Sequence, residues 1–258
     1  MGRVSKVSRR RKTRRTRRVR RQRGGNQTKS SPFFQKAYAI TLDPEGKRYK
    51  DIKAYTDAAQ IPLEPWKGVV IKPDQVSTLP EQGIGTTNFK DRTLKLFNMG
   101  VIGAYLAHRN LFQHIAANEA DKPGTLIFED DVEIPPDFYE KLAVAEKDIP
   151  ADWDFIFLDK LYVDGTPISN HVMKLKKDMT ATKNWGIWAY IVKNSSLKDR
   201  ILPKLEHMID VPDIQLAKHA DVLNMYMIQP QIVRQDRHNA PNSVVTMFDT
   251  AAANQNAK

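Results

Sequence analysis

The sequence predicts an α/β fold with a mainly parallel sheet, in one domain over residues 32–258 behind a disordered, arginine-rich tail over residues 1–31. Three observations carry this. Short apolar strands alternate with helix-spaced segments along most of the chain, the pattern of strands joined by helical crossovers. The composition changes abruptly at Pro32. Hydrophobic residues make up 41% of the 258, enough for a substantial core in a chain of this length.

The tail accounts for the charge. Residues 1–25 hold 13 of the 41 Lys and Arg and no acid, leaving 28 bases against 30 acids in the rest. The net charge of +11 therefore belongs to the tail, and the body is near −2. Apart from Met1, the apolar side chains before Pro32 are three valines, too few to offset the entropy of ordering. Gly24-Gly25 and Lys29-Ser30-Ser31-Pro32 read as a linker. Such a tail binds nucleic acid or an anionic surface by counterion release, and it has no interleaved aromatics to stack on bases. A nuclear address signal or a membrane-surface patch is the simpler version of the same idea.

In the body, Ala37–Leu42 is a first buried strand, and Glu45–Ala59 has helical spacing at Tyr49, Ile52 and Ala59. The Pro- and Gly-rich stretch from Ile61 to Gly85 holds at most one strand, near Val69–Ile71. Val101–Asn118 is a helix with Val101, Tyr105, Phe112 and Ile115 on one face. Thr125–Phe128 is a short buried strand, Pro136–Lys147 a helix with Pro near its start, and Asp154–Leu158 another strand. Trp185–Val192 is expected as a strand, Ser195–Met208 and Asp213–Leu223 as helices, and Met225–Ile228 as a strand.

Several classes are excluded. There is no cysteine, hence no disulfide scaffold, thiolate metal site or cysteine nucleophile. The longest apolar run, Trp185–Val192, is far short of the ~20 residues a membrane helix needs. No apolar run comes after the basic N-terminus, so it is not a secretory signal. The expectation is an intracellular, soluble protein, cytoplasmic or nuclear.

The segment richest in chemistry is Thr125-Leu126-Ile127-Phe128-Glu129-Asp130-Asp131-Val132, an apolar strand running into three carboxylates. Adjacent like charges raise one another's pKa, and a hard divalent cation removes that cost. Mn²⁺ or Mg²⁺ suits such oxygen ligands, Mg²⁺ often with substrate phosphates. The end of a strand is also where open α/β sheets bind ligands. An acidic turn leading into the next segment is the alternative.

Around that strand the chain resembles glycosyltransferase family 25, which includes lipopolysaccharide and collagen galactosyltransferases. The family pattern "GEIGCYLSH" is matched by Gly100-Val101-Ile102-Gly103-Ala104-Tyr105-Leu106-Ala107-His108, and "ILEDDV" by Ile127–Val132 with Pro136-Asp137-Phe138 after it. Trp153–Leu158 is similar to "WDLVYLG", Ala189–Val192 to "AYLIS", Val211–Leu216 to "PVDxxL", and Ile40–Asp43 to "INLD". Arg48 stands at the spacing of a later family arginine. The family's asparagine is Thr41 here, its glutamate Val101, its cysteine Ala104 and its serine Ala107. The resemblance spans about Ala37 to Val245.

That resemblance implies a GT-A-like fold and inverting transfer of a sugar from a nucleotide sugar, a UDP-hexose, onto a hydroxyl of a glycan, lipid-linked or protein acceptor. It implies Glu129, Asp130 and Asp131 at a Mn²⁺ or Mg²⁺ site, with Asp131 the direct ligand, and His238 as a late third ligand. Thr41, Arg48 and Asp130 would contact the donor, and Asp213 would be the catalytic base, with Asp210 and Asp159 next. Each has a plainer reading. His238 fits a solvated loop, Arg48 an exposed helix residue, and Asp213 a helix-initiating acid. His108 fits a structural role on an apolar face. Trp185 and Trp188 could stack on a sugar or pack within a strand. A second class of function stays open: a nucleic-acid- or polyanion-associated protein whose transferase-like domain is not catalytic.

Overall fold

The computed structural model describes Met1 and residues 29–84 and 99–236. The tail before Lys29, and His238, lie outside the described residues. From Pro32 onward the chain forms one mixed α/β body around an eight-stranded sheet.

The strands are β1 (Lys36–Thr41), β2 (Leu63–Lys67), β3 (Thr125–Glu129), β5 (Phe155–Phe157), β6 (Gly165–Pro167), β7 (Val172–Leu175), β8 (Ala189–Val192) and β9 (Met225–Ile228), in the order β2-β1-β3-β8-β5-β9-β7-β6. β1 pairs parallel with both β2 and β3, and β5 parallel with β9. β8 is antiparallel to its neighbours β3 and β5, and β7 to β9 and β6. Six strands thus share one direction, and β7 and β8 oppose them. A separate ribbon joins β4 (Val132–Glu133) to β10 (Arg234–Gln235). The helices are α1 (Lys47–Ala59), α2 (Met99–Asn118), α3 (Phe138–Glu146), α4 (Asn194–Ser196) and α5 (Pro212–Ala217).

Alternation across the pleat builds two apolar layers. Ile127, Phe155, Phe157, Tyr190 and Met227 point to one side, where Tyr105, Phe112 and Ile115 of α2 and Leu216 of α5 cover them. Leu126, Phe128, Ile156, Ile191 and Tyr226 point to the other, against Ile52 of α1 and Phe138 and Leu142 of α3. The predicted apolar face of α2 is the buried one. Phe112 is fully buried there, and truncating such a side chain to Ala costs about 3–5 kcal/mol.

Four expectations are corrected. The strand between Ile61 and Gly85 is Leu63–Lys67, not Val69–Ile71. It holds Pro65, which an edge strand tolerates because one side of its backbone needs no ladder donor. The strand expected from Trp185 begins at Ala189. The helix expected over Ser195–Met208 passes from α4 through one π turn (Leu197–Ile201) to a short 3₁₀ turn (Leu202–Lys204), where Pro203 lacks the N–H that a continuing α-helix needs. The helix expected over Asp213–Leu223 ends at Ala217.

Candidate functional site

The strands that share a direction deliver their C-terminal ends to one edge of the sheet. β1 ends at Thr41, β3 at Glu129, and β5 runs on into Leu158, Asp159 and Lys160. β8 runs the other way, so its start lies at the same edge. There the Glu129 N–H donates to the Trp188 carbonyl at 2.8 Å.

Thr41, Arg48, Glu129, Asp130 and Asp131 come together here. Ile40 is in register with Glu129, which sets Thr41 beside Asp130. Arg48, in the first turn of α1, reaches Asp130 Oδ1 at 2.7 Å and Asp131 Oδ2 at 3.5 Å. The β4–β10 ribbon closes the far side: the Gln235 amide donates to Asp131 Oδ2 at 3.2 Å, and the Asp236 N–H to the Asp131 carbonyl at 2.6 Å. Asp131 is 5% exposed, and its Oδ1 is buried with no hydrogen-bond partner, as is Arg48 Nε. Burial raises the pKa of Asp130, against the Thr41 hydrogen bond and the Arg48 charge. Burial and then the Glu129 charge push Asp131 up to about 7.

His108, buried in α2, joins this group from beneath. Its Nδ1 lies 2.8 Å from the Tyr190 hydroxyl and its Nε2 3.2 Å from Glu129 Oε1. The apolar-face reading of His108 thus holds, and the residue also touches the carboxylate cluster. Above lies a cavity of about 520 Å³, lined by Thr41, Arg48, Gly68, Ile71, Gly103, Ala107, His108, Glu129 and Asp130 among others. Gly103 is required in its wall: a Cβ there would stand 2.3 Å from the Val69 carbonyl oxygen, so only glycine lets α2 approach that loop.

Asp213 sits apart, in the first turn of α5. Its Oδ2 accepts the Gly186 N–H at 2.6 Å. Among the described residues no hydrogen bond or ion pair joins it to the three carboxylates, and no three His, Asp or Glu side chains converge as a metal cage. His238 lies outside the described residues.

Sequence reasoning missed Lys160. The residue is 3% exposed, and its ammonium donates to the Asn184 and Gly186 carbonyls at 2.7 Å each and lies 4.1 Å from the Phe157 ring centroid. Burial lowers its pKa to about 8, while Asp213 and Asp159 act in the opposite sense. The signal was present: Asp159-Lys160 comes after an apolar strand just as Glu129-Asp130-Asp131 does. Gln235 had no comparable signal, because only the ribbon pairing brings it to Asp131.

The family model for glycosyltransferase family 25 (LPS biosynthesis protein) matches residues 34–202. Among solved structures, the chain is similar to a crystal structure of a glycosyltransferase involved in the glycosylation of the major capsid of PBCV-1. The identity is 7% and the TM-score 0.34, over 81% of this chain and 98% of that one. No protein with a curated description matches. The family match takes in β1, α1, α2, the strand that ends on Glu129-Asp130-Asp131, and the whole of β8, and on it the chain is a glycosyltransferase that belongs to glycosyltransferase family 25.

Proposed function

We propose that the protein transfers a hexose from a UDP-sugar to an acceptor hydroxyl, with inversion and with a divalent cation, in a GT-A-like domain. The observation that carries this reading is the 520 Å³ cavity whose floor is Glu129 and Asp130, beside the buried Asp131 with its unpartnered oxygen.

The residues fit a divalent ion. Three ionised carboxylates against the Arg48 guanidinium would leave a charge of about −2, in a site where burial raises the pKa of Asp130 and Asp131. One or two carboxylates suffice for Mg²⁺ when substrate phosphates complete the shell, so the lack of a three-residue cage is no obstacle. Glu129, Asp130 and Asp131 would hold the Mn²⁺ or Mg²⁺, which when bound neutralises the diphosphate leaving group.

The protein's own groups do the rest. Thr41 and Asp130 line the donor side of a cavity whose wall is largely apolar. Arg48, already beside Asp130, supplies a fixed cation for the phosphates. Asp213, on the other side of the β8 start, accepts the proton of the acceptor hydroxyl as its oxygen bonds to the sugar C1 and the C1–phosphate oxygen bond breaks. The nucleotide diphosphate leaves with that electron pair.

The test is a screen of UDP-hexoses for nucleotide release with Mn²⁺, with and without chelator, on the wild-type and Asp131→Asn proteins. Release with at least one donor, abolished by chelator and by Asp131→Asn while the melting transition is retained, supports the reading. Release that ignores both changes would falsify the metal site, and no release from any donor would remove the UDP-hexose assignment.

A further inference from the structure

Trp185 is not in the strand where its sequence context put it. It stands four residues before β8 and is 37% exposed, against Tyr162, which is 60% exposed. The two rings meet edge to face, 5.1 Å apart at 85°.

The exposed pair sits on backbone held from every direction. Leu161 and Trp185 exchange both backbone hydrogen bonds, at 2.8 and 3.0 Å, and the Asn184 N–H donates to the Tyr162 carbonyl at 3.0 Å. The buried Lys160 ammonium grips the carbonyls on either side of Trp185, those of Asn184 and Gly186. Tyr162, Asn184 and Gly186 hold φ of 50°, 58° and 97°, and a non-glycine residue keeps such an angle only where its surroundings dictate it. The indole N–H is already used, donating to the Ala181 carbonyl at 3.1 Å. What Trp185 offers a ligand is its ring surface.

The position matters as much as the rigidity. The Gly186 N–H, next in the chain, is bound by Asp213. Three residues beyond Trp185, the Trp188 carbonyl receives the Glu129 N–H. Three residues of chain span at most about 11 Å, so the ring pair stands beside Asp213 and within a short oligosaccharide's length of the donor floor.

We propose that Trp185 and Tyr162 form the acceptor subsite and that the acceptor is a carbohydrate, one of whose pyranose rings stacks on this pair; the inference rests on the sugar-transfer reading of the same edge. A pyranose presents an apolar C–H face and a rim of hydroxyls. The aromatic pair matches the face, and the exposed Thr180 and Thr182 hydroxyls, in the loop that binds the indole N–H, keep acceptor capacity for the rim beyond their bonds to Asp178 and to each other.

The experiment passes full-length protein over an array of neutral oligosaccharides, in salt high enough to screen the basic tail, for wild type, Trp185→Ala and Trp185→Phe. The expected result is that wild type retains a subset of glycans, that Trp185→Ala loses about tenfold or more of that binding, the loss typical of an aromatic anchor, and that Trp185→Phe keeps most of it. The exposed ring makes Trp185→Ala tolerable to the fold, and far-UV spectra check this. Wild type that retains no neutral glycan overturns the proposal. So does Trp185→Ala that binds the same glycans equally, since the occupant is then something other than a sugar on this pair. Nucleotide release by wild type is read separately: glycan binding through Trp185 without it leaves the platform standing and removes the UDP-hexose reading instead.

Discussion

Asp213 and Lys160 show how one edge of the sheet holds two charges of opposite sign in different ways. The ammonium is sealed under Asn184 and Gly186, while Asp213 is only half-buried and has one short hydrogen bond, from the Gly186 N–H. That bond separates the two roles open to Asp213. An asparagine at this position still offers a carbonyl oxygen to Gly186, so Asp213→Asn keeps the turn and forfeits the ~0.3–1 kcal/mol of a helix-end charge together with the charge interaction with the buried Lys160. It cannot take a proton. We expect Asp213→Asn to bind donor as wild type does and to transfer about 10²–10⁴ times more slowly, measured as kcat at saturating donor. A kcat within a few-fold of wild type moves the base to another group, with Asp159, two residues beyond β5, the next to test.

At the scale of elements, the loop from Asp178 to Lys183 is organised by one carboxylate. Asp178 accepts the Thr180 N–H and hydroxyl on Oδ1, and the Thr182 and Lys183 N–H groups on Oδ2, at 2.5–2.8 Å. Burial acts to raise its pKa, but these hydrogen bonds win and hold it at about 2, below the ordinary 3.8. A depressed carboxylate pKa contributes stability that is present above about pH 4 and is lost as pH falls toward 2. Asp178→Ala should therefore cost about 1–3 kcal/mol at neutral pH, and the difference from wild type should shrink between pH 4 and 2 in thermal melts. A gap that stays constant through that window would show that another group holds the loop. This element was not legible in the sequence, and the reason is general. α1 and α2 announce themselves by helical periodicity, because each buries a face, and β1, β3, β5 and β9 by short apolar runs. The 159–186 segment is specified by a lysine, an aspartate and an asparagine that hydrogen-bond backbone groups, and no period marks such residues. The direction of β8 was hidden for a related reason: Ala189–Val192 is apolar on both faces, and that pattern is the same whichever way the strand runs. The carboxylate cluster was legible because strand end and charge coincide in sequence; for Trp185 the sequence left two readings open, sugar stacking or packing within a strand, because its neighbours look like strand.

Over the whole molecule, charge is divided between a basic leader and a slightly acidic body. Two residues just ahead of Pro32 touch α3: Lys29 pairs with Glu140 at 2.8 Å, and the Ser31 hydroxyl donates to Glu146 at 3.1 Å. Removal of residues 1–28 keeps these contacts. We expect the shortened protein to retain turnover on a small neutral acceptor and to lose most of its salt-dependent binding to DNA or anionic vesicles. A large drop in that turnover would place the tail in the reaction itself. No helix among the described residues is long and apolar enough to cross a membrane. Within the body, β8 lies between β3 and β5 and against both. Neighbouring strands in any sheet keep a separation of about 4.8 Å, so the spacing between the end of β3, at Glu129, and the start of β8 is a fixed dimension of the scaffold. If the proposed donor and acceptor sites are right, substitutions in residues 159–186 should retune which glycan is extended without moving the place where the incoming sugar is delivered, and the two halves of specificity become separately editable by mutation.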